Sequence, residues 1–194
     1  MNSTADKPAL RHRLRRLRRD ASFGRPDAGD ALATRFPDAW APERGALIAG
    51  YWPLVGEIDP RPLMTRLADT GARLCLPCVI GDKQPLQFRE YLPGDRLENA
   101  DFGVMQPEPT RPSFKPELVL VPLLGCDRRG NRLGFGKGYY DYTLAALRAD
   151  GPVRAIGLAF ACQVVAELPA DRHDQALDGL VTEAWTLDFR NESA

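Results

Sequence analysis

Uninterrupted apolar runs alternate along this chain with segments of helical periodicity. Two of the runs, residues 118–124 and 153–160, predict strands that are buried on both faces. Further strands are predicted at residues 46–52, which Pro53 ends, at 73–80, at 84–92 and, as a last short strand, at 183–187. Residues 93–116 are rich in proline, glycine and acidic residues, which predicts a long surface loop.

The helical segments lie between the predicted strands. Leu10, Leu14 and Leu17 recur at helical spacing and predict a docked amphipathic helix with a narrow apolar stripe. Residues 27–36 and 62–70 predict two more helices, the second closed by Gly71, which suits the position after a helix end. A fourth helix is predicted to begin near Gly138, because Tyr140, Leu144 and Leu147 recur at positions i, i+4 and i+7.

Strands separated by helices predict an α/β fold. We expect a single-domain, three-layer α/β sandwich with a mostly parallel central sheet, spanning residues 1–194. A chain of this length with 44% hydrophobic residues can bury a complete core. In such folds ligands bind at the carboxyl ends of the strands, and we expect the functional site there.

The formal net charge is zero, but the charges are unevenly distributed. Residues 1–20 contain seven basic residues and two acidic ones. This basic segment can be interpreted as a helix that contributes to a binding site, as a solvated basic face, or as a nucleic-acid-binding surface. No apolar run approaches the roughly 18 residues of a membrane span, and no apolar segment follows the basic N-terminus as in a secretory signal. We therefore expect a cytoplasmic protein.

Metal or redox chemistry of cysteine and histidine has little support. Cys75 and Cys78 form a C-x-x-C pattern, but they lie in a predicted strand, and Cys126 and Cys162 do not form a second close pair. We interpret all four as ordinary buried thiols. The chain has two histidines, His12 and His173, and both are expected at the surface.

A glycine-rich segment follows the predicted strand at residues 118–124. It reads N-R-L-G-F-G-K-G-Y-Y-D over residues 131–141. A P-loop requires glycine where Asn131 stands and serine or threonine where Gly138 stands, and a dinucleotide fingerprint requires glycine where Tyr139 stands. The segment therefore matches neither common nucleotide-binding pattern.

The same residues support an anion site of another design. A helix beginning near Gly138 directs unsatisfied N–H groups and a positive dipole end toward a phosphate, and Arg132 and Lys137 add positive charge. Asp141 falls in the first helical turn, where an aspartate favours the helix dipole for structural reasons alone. Beside a phosphate it is also well placed to hold Mg²⁺, which prefers one or two carboxylates together with substrate phosphates.

The segment L-V-P-L-L-G-C-D-R-R-G-N-R-L-G-F-G-K-G-Y-Y-D closely resembles the signature of the 5-formyltetrahydrofolate cyclo-ligase family, also called 5,10-methenyltetrahydrofolate synthetases. The order of the basic helix, a strand followed by G-E-I-D, the glycine-rich segment and a late acidic segment agrees. The resemblance spans nearly the whole chain and is most specific over residues 122–141. It implies ATP-dependent cyclisation of 5-formyltetrahydrofolate to 5,10-methenyltetrahydrofolate, with release of ADP and phosphate, through a phosphorylated formyl (imidophosphate) intermediate.

The resemblance also assigns residues to ATP and Mg²⁺. Those it implies at ATP are Lys7, Arg11, Arg132, Leu133, Gly134, Phe135, Gly136, Lys137, Gly138, Tyr139 and Tyr140. Arg132 and Lys137 are the expected catalytic residues, as cations where negative charge accumulates. Asp141 and Asp174 are the expected Mg²⁺ ligands, and Asp178 is a neighbour of structural character. The remaining arginines of the basic helix receive no role, and no general base is evident.

Trp52, Glu57 and Tyr140 are expected to bind the folate. Glu57 resembles the family glutamate that contacts the pterin ring, since a carboxylate can accept paired hydrogen bonds from a ring nitrogen and its exocyclic amine. Without the resemblance, a helix cap or a loop acid would describe Glu57 equally well. Trp52 and Tyr140 offer flat apolar walls to the ring, but aromatic residues near strand ends are often core, and for Trp52 both interpretations stay open.

The chain departs from some members of the family at Phe135, where they carry a basic residue suited to holding the phosphorylated intermediate. A phenylalanine supplies no charge, so Arg132 or Lys137 has to suffice. Two other hypotheses stay open: a non-catalytic nucleotide- or RNA-binding module that uses the basic helix, and a phosphotransferase of related fold acting on another amide or acid. We expect a monomer with a small-molecule substrate and with no nucleic acid or membrane partner.

Overall fold

The computed structural model describes residues 7–100 and 103–190. Within them lie four α-helices, α1 (Lys7–Gly24), α2 (Ala28–Arg35), α3 (Arg61–Asp69) and α4 (Tyr139–Asp150), and two short 3-10 helices, Asp38–Trp40 and Ala161–Gln163. The strands of the described residues are β1 (Leu47–Ala49), β2 (Arg73–Cys78), β3 (Gln87–Tyr91), β4 (Leu97–Asn99), β5 (Met105–Pro107), β6 (Ser113–Phe114), β7 (Leu118–Pro122), β8 (Gly125–Asp127), β9 (Arg132–Leu133), β10 (Arg154–Ala159), β11 (Val164–Val165), β12 (Gly179–Thr182) and β13 (Thr186–Asp188).

Eight strands form one mixed sheet in the order β13-β12-β10-β7-β1-β2-β3-β6. The five central strands, from β12 to β2, are parallel, and antiparallel strands flank them at both edges. β7 lies between β10 and β1 and is buried along nearly its whole length, as its continuous apolar run predicts. The prediction of an α/β fold with a mostly parallel central sheet is confirmed.

Helices cover both faces of this sheet and give three layers. On one face, Leu32 of α2 and Leu63 of α3 join a core with Leu120 of β7. On the other face, α4 packs through Leu144 against Val119. Complete burial of one such leucine stabilises the fold by about 1.5–3 kcal/mol, so the apolar stripes of these short helices are what holds them on the sheet.

Helix α1 packs on a separate three-stranded sheet with the order β11-β8-β9. Leu14 is completely buried there, and Leu10 and Leu17 pack beside it, so the predicted amphipathic helix is confirmed. Gly125 of β8 makes this close approach possible, because a Cβ at that position would lie 2.6 Å from Cδ1 of Leu14.

Several strand predictions are wrong. Residues 93–116, predicted as a loop, contain β4, β5 and β6. Residues 183–187 were expected to form the last strand, but residues 183–185 are the turn between β12 and β13, held by a hydrogen bond from the Trp185 N–H to Oγ1 of Thr182. β1 ends at Ala49 instead of residue 52, so Trp52 lies in the loop that follows the strand.

The cysteine prediction is confirmed for three residues and wrong for one. Cys75, Cys78 and Cys126 are buried free thiols, and burial raises the pKa of Cys75 to about 12, which makes it a poor nucleophile. Cys162, which lies on the short 3-10 helix that follows β10, is exposed. His12 and His173 are exposed, as predicted. In the described parts of the chain, no helix has the length and apolarity needed to cross a membrane.

Candidate functional site

A cavity of about 750 Å³ opens at the carboxyl ends of β1, β2 and β7. Pro122 closes β7 at its floor, Pro77 and Val79 contribute from the end of β2, and Tyr51 lies just beyond β1. The glycine-rich segment and the first turns of α1 also line the cavity. The cavity is therefore where a parallel α/β sheet is expected to bind ligands.

All residues that the sequence predicts at the site line this one cavity. They are Lys7, Arg11, Trp52, Glu57, Arg132, Leu133, Gly134, Phe135, Gly136, Lys137, Gly138, Tyr139, Tyr140, Asp141 and Asp174. They come from both ends of the chain and from two loops between them. Their individual roles stay predictions, while their proximity is a property of the fold.

The glycine-rich segment runs from β9 to the start of α4. Gly136 and Gly138 have positive φ angles of 100° and 73°, a conformation that is costly for other residues. Gly138 is the residue before α4, so the positive dipole end of that helix faces the cavity. Arg11 of α1 fixes the segment from the other side, donating from Nε to the carbonyl oxygen of Gly134 over 3.1 Å.

Arg132 and Asp141 form an ion pair inside this wall. Nη2 of Arg132 donates to Oδ1 of Asp141 over 2.6 Å, and the same oxygen accepts the N–H of Gln175 over 3.0 Å. The Arg132 side chain is only 4% exposed. Burial lowers its pKa, and the Asp141 charge opposes that effect, so the guanidinium stays protonated. Among the described residues, Nε of Arg132 has no hydrogen-bond partner.

A second cation–carboxylate group lies where α1 begins. Nζ of Lys7 donates to Oδ2 of Asp174 over 3.1 Å and to Oδ2 of Asp171 over 3.3 Å. Burial lowers the pKa of Lys7, and the hydrogen bond to Asp174 raises it; the net effect of all contacts is a raised pKa. Asp174 also accepts the N–H of Asp171 over 2.9 Å. Asp178, in contrast, accepts from Arg148 and from the Ala155 N–H, outside the cavity lining.

The donor set fits magnesium. The described residues contain no cluster of three or more histidine, cysteine, aspartate or glutamate side chains that could hold a metal. Asp141 and Asp174 are both carboxylates in the cavity wall, each neutralised by one cation. Mg²⁺ commonly takes one or two carboxylates and completes its shell with waters and substrate phosphates, so Asp141 and Asp174 are the residues that would hold it.

Glu57 lines the same cavity as a buried carboxylate. Its Oε1 accepts from Nη1 of Arg18 over 3.0 Å and its Oε2 accepts the N–H of Leu54 over 2.9 Å. The two charged side chains are 5% and 4% exposed. Burial raises the pKa of Glu57, and the Arg18 charge and both hydrogen bonds oppose that rise.

Three aromatic residues, Tyr51, Trp52 and Tyr140, line the cavity together with Glu57. The Tyr51 hydroxyl donates to the carbonyl oxygen of Ile58 over 2.9 Å, and burial raises its pKa, as it does for the Tyr140 hydroxyl. Trp52 is half-buried and meets Tyr91 edge to face at 6.2 Å between ring centroids. Trp52 thus packs against the core and also lines the cavity, which reconciles its two interpretations.

Sequence reasoning missed several lining residues and one residue behind the wall. Tyr51, Pro77, Val79, Leu86 and Pro122 line the cavity but were not predicted. Their only signal was a position at or near the end of a strand. Arg18 was given no role, although it lies one helical turn after Leu14 on the buried side of α1. Its partner Glu57 is 39 residues away in the chain, so only the fold reveals the pair.

Comparison with known proteins gives one consistent result. The family model of the 5-formyltetrahydrofolate cyclo-ligase family matches residues 3–183. The 5-formyltetrahydrofolate cyclo-ligase of Mycolicibacterium smegmatis is 33% identical over 191 residues, covering 93% of this chain and 95% of the relative. The one from Haemophilus influenzae is 28% identical over 181 residues, covering 90% and 96%.

Solved structures agree. The 5,10-methenyltetrahydrofolate synthetase of Aquifex aeolicus superposes with a TM-score of 0.76 at 26% identity and covers 95% of this chain and 93% of its own. The 5,10-methenyltetrahydrofolate synthetase from Mycoplasma pneumoniae gives a TM-score of 0.71 at 25% identity, with 92% and 99% covered. The likeness thus extends over nearly the whole chain.

Proposed function

This chain belongs to the 5-formyltetrahydrofolate cyclo-ligase family, and we propose that its cavity carries out the ATP-dependent cyclisation of 5-formyltetrahydrofolate to 5,10-methenyltetrahydrofolate, with release of ADP and phosphate. The observation that carries this proposal is the convergence of phosphate-binding elements and a buried carboxylate on one cavity of about 750 Å³. The cations and the α4 terminus suit the triphosphate, and Glu57 with its aromatic neighbours suits the pterin.

The chemical problem is the formyl oxygen, which is a poor leaving group. Transfer of the γ-phosphoryl group to that oxygen breaks the bond to ADP and gives an imidophosphate. The nitrogen at folate position 10 then attacks the formyl carbon, loses its proton, and the carbon–oxygen bond breaks as phosphate departs. Such a sequence requires positioning and charge stabilisation more than covalent chemistry from side chains.

In this proposal Arg132 and Lys137 stabilise negative charge on the transferred phosphoryl group. Arg132 is well prepared for that task, because Asp141 fixes its orientation and its buried Nε has no partner among the described residues. Lys7 and Arg11 hold the nucleotide from the α1 side. Glu57 orients the pterin ring between Trp52 and Tyr140.

Asp141 and Asp174, which both line the cavity, would hold Mg²⁺ together with the phosphates. Bound there, the ion would neutralise phosphate oxygens of ATP. We further propose that the chain acts as a monomeric single domain in the cytoplasm, with no nucleic acid partner. Three buried free thiols suit a reducing compartment.

The decisive experiment measures phosphate release and methenyl product formation with ATP and Mg²⁺, with and without 5-formyltetrahydrofolate. We expect phosphate release to require the folate and to match product formation one to one. Lys137→Met removes a cation from an exposed position and should slow both signals by about tenfold or more. Phosphate release without folate, or folate binding without cyclised product, would refute the proposal.

A further inference from the structure

Arg18 is the only buried arginine of α1 within the described residues, with 4% of its surface exposed. It does not line the cavity. It contacts two residues that do: its guanidinium donates to Glu57 over 3.0 Å and lies 5.1 Å from the ring centroid of Phe135. Arg18 thus connects the carboxylate at the proposed folate end with the glycine-rich segment at the proposed nucleotide end.

The hydrogen bonds at Glu57 leave capacity for a ligand. Each carboxylate oxygen can accept two hydrogen bonds, and Arg18 and the Leu54 N–H use one position on each oxygen. Both oxygens therefore retain an acceptor position on a residue that lines the cavity. The two bonds from behind hold the carboxylate in one orientation, as paired recognition of a ring nitrogen and an amine requires.

A purely structural role explains the pair poorly. Burying two charges costs desolvation that their attraction hardly repays, and apolar residues of similar volume usually stabilise a fold at least as well. Nε of Arg18 also has no hydrogen-bond partner among the described residues, so the guanidinium is not fully satisfied where it lies. An arginine kept in this position is better explained by what it does to Glu57.

We propose that Arg18 is a positioning residue for folate recognition, which holds Glu57 as an oriented carboxylate at the cavity wall and links it through Phe135 to the glycine-rich segment. This inference rests on the proposed function, since it concerns recognition of the same folate. It assigns to Arg18 no contact with the substrate. Its effect on folate binding is exerted through Glu57.

A double-mutant cycle tests this proposal, with Arg18→Met, Glu57→Gln and the double variant compared by the KM for 5-formyltetrahydrofolate and the KM for ATP. Arg18→Met should raise the folate KM by about tenfold to a hundredfold, as expected for a lost hydrogen bond to a charged group, and the ATP KM by less than about threefold. In the Glu57→Gln background the same change should alter the folate KM by less than about threefold. Equal effects in both backgrounds would overturn the proposal.

Two variants keep the test meaningful if Arg18→Met does not fold. Arg18→Lys retains the charge but loses the planar fork, and it completes the same cycle with Glu57→Gln. The double variant Arg18→Met with Glu57→Gln leaves no uncompensated buried charge, so we expect it to fold. Arg16→Met, at an exposed position of the same helix, is the matched control and should keep both KM values.

The pH profile gives a readout that a structural role would not change. Without Arg18, only the hydrogen bond from the Leu54 N–H still opposes the effect of burial on the pKa of Glu57, so the carboxylate should protonate at higher pH than in the wild type. The folate KM should therefore rise more steeply than in the wild type as the pH falls from the neutral into the acidic range. The other titratable groups facing Glu57 among the described residues are the hydroxyls of Tyr51 and Tyr140, which stay neutral there because burial raises their pKa.

Parallel pH profiles would overturn the proposal. If the wild type forms no methenyl product at all, the proposed function fails instead. If the wild type is active but the effects of the Arg18 and Glu57 substitutions on the folate KM are additive, only the proposed role of Arg18 is rejected and the proposed function stands.

Discussion

Arg132 and Asp141 are nine residues apart and face each other across the start of α4, with 2.6 Å between Nη2 and Oδ1. The guanidinium is almost completely buried, while the carboxylate is 23% exposed toward the cavity. Because a buried cation requires a fixed partner, Asp141 serves the orientation of Arg132 even before a ligand binds. Asp141 thus has two proposed roles: it orients the cation Arg132, and it is a ligand of Mg²⁺.

Asp141→Asn tests that double role. The amide cannot replace an anionic metal ligand, so we expect Mg²⁺-dependent turnover to fall on the order of a hundredfold or more, while circular dichroism stays native-like. The matched control is Asp178→Asn, which removes the negative charge that accepts from Arg148 and the Ala155 N–H outside the cavity. It should lower stability by about 1–3 kcal/mol and keep the turnover of the folded enzyme. Wild-type turnover in Asp141→Asn would reject the metal assignment.

The two outer glycines of the G-F-G sequence should respond differently to alanine. Gly136 has a φ of 100°, and a Cβ there would lie 3.3 Å from Cζ of Arg11. Gly134 has no positive φ, and its nearest neighbour would be Nη1 of Arg132 at 3.8 Å. Gly136→Ala should therefore lower the free energy of unfolding by about 1–2 kcal/mol, and Gly134→Ala by less than about 0.5 kcal/mol. Urea titrations measure both, and equal losses would contradict the left-handed conformation at Gly136.

The contact between α1 and β8 predicts compensation between two destabilising changes. Leu14→Ala should cost about 2–5 kcal/mol through the space it leaves, and Gly125→Ala should cost stability because its Cβ would clash with Leu14 at 2.6 Å. In the double variant the new methyl group enters the space left by Leu14. Its loss of unfolding free energy should be smaller than the sum of the single losses by about 1 kcal/mol or more. Strict additivity would show that the two residues do not share this contact.

Glu57 should leave a signature in the pH dependence of stability. Burial raises its pKa in the folded state, against the effect of Arg18, so the folded chain holds that proton more tightly than the unfolded chain. Its contribution to stability is therefore complete below the unfolded pKa and is lost as the pH rises through the folded pKa. Glutamine at this position cannot titrate. The unfolding free energy of Glu57→Gln should therefore increase relative to that of the wild type as the pH rises through the weakly acidic range. Urea unfolding at several pH values measures this difference, and a constant offset would contradict the raised pKa.

Much of the fold was predictable because its central strands carry their own signal. β7 and β10 are continuous apolar runs. A strand that is buried on both faces needs apolar residues at successive positions instead of at alternate ones, so such a run predicts it directly. The glycine-rich segment was predictable for a related reason, since Gly136 and Gly138 need a backbone conformation that other residues avoid. Local chemistry determined these parts.

The remainder depends on contacts distant in sequence. β9 and β11 have two residues each, too few for any periodicity, and they exist because β8 pairs with both. Arg18 is a partial exception, since its spacing from Leu14 places it on the buried side of α1. What the spacing could not provide is Glu57, the anion that makes the burial of Arg18 tolerable.

The packing of α1 against later parts of the chain also has a consequence for synthesis on the ribosome. The helix is made early, yet Leu14 packs against Leu124, Leu133 and Leu168, and Arg11 bonds to Gly134, 123 residues further along. A nascent chain therefore carries the leucine stripe uncovered until most of the polypeptide has emerged. We therefore expect α1 to dock only after β8, β9 and Leu168 have been synthesised, so that the part of the cavity lining that α1 supplies forms late in folding.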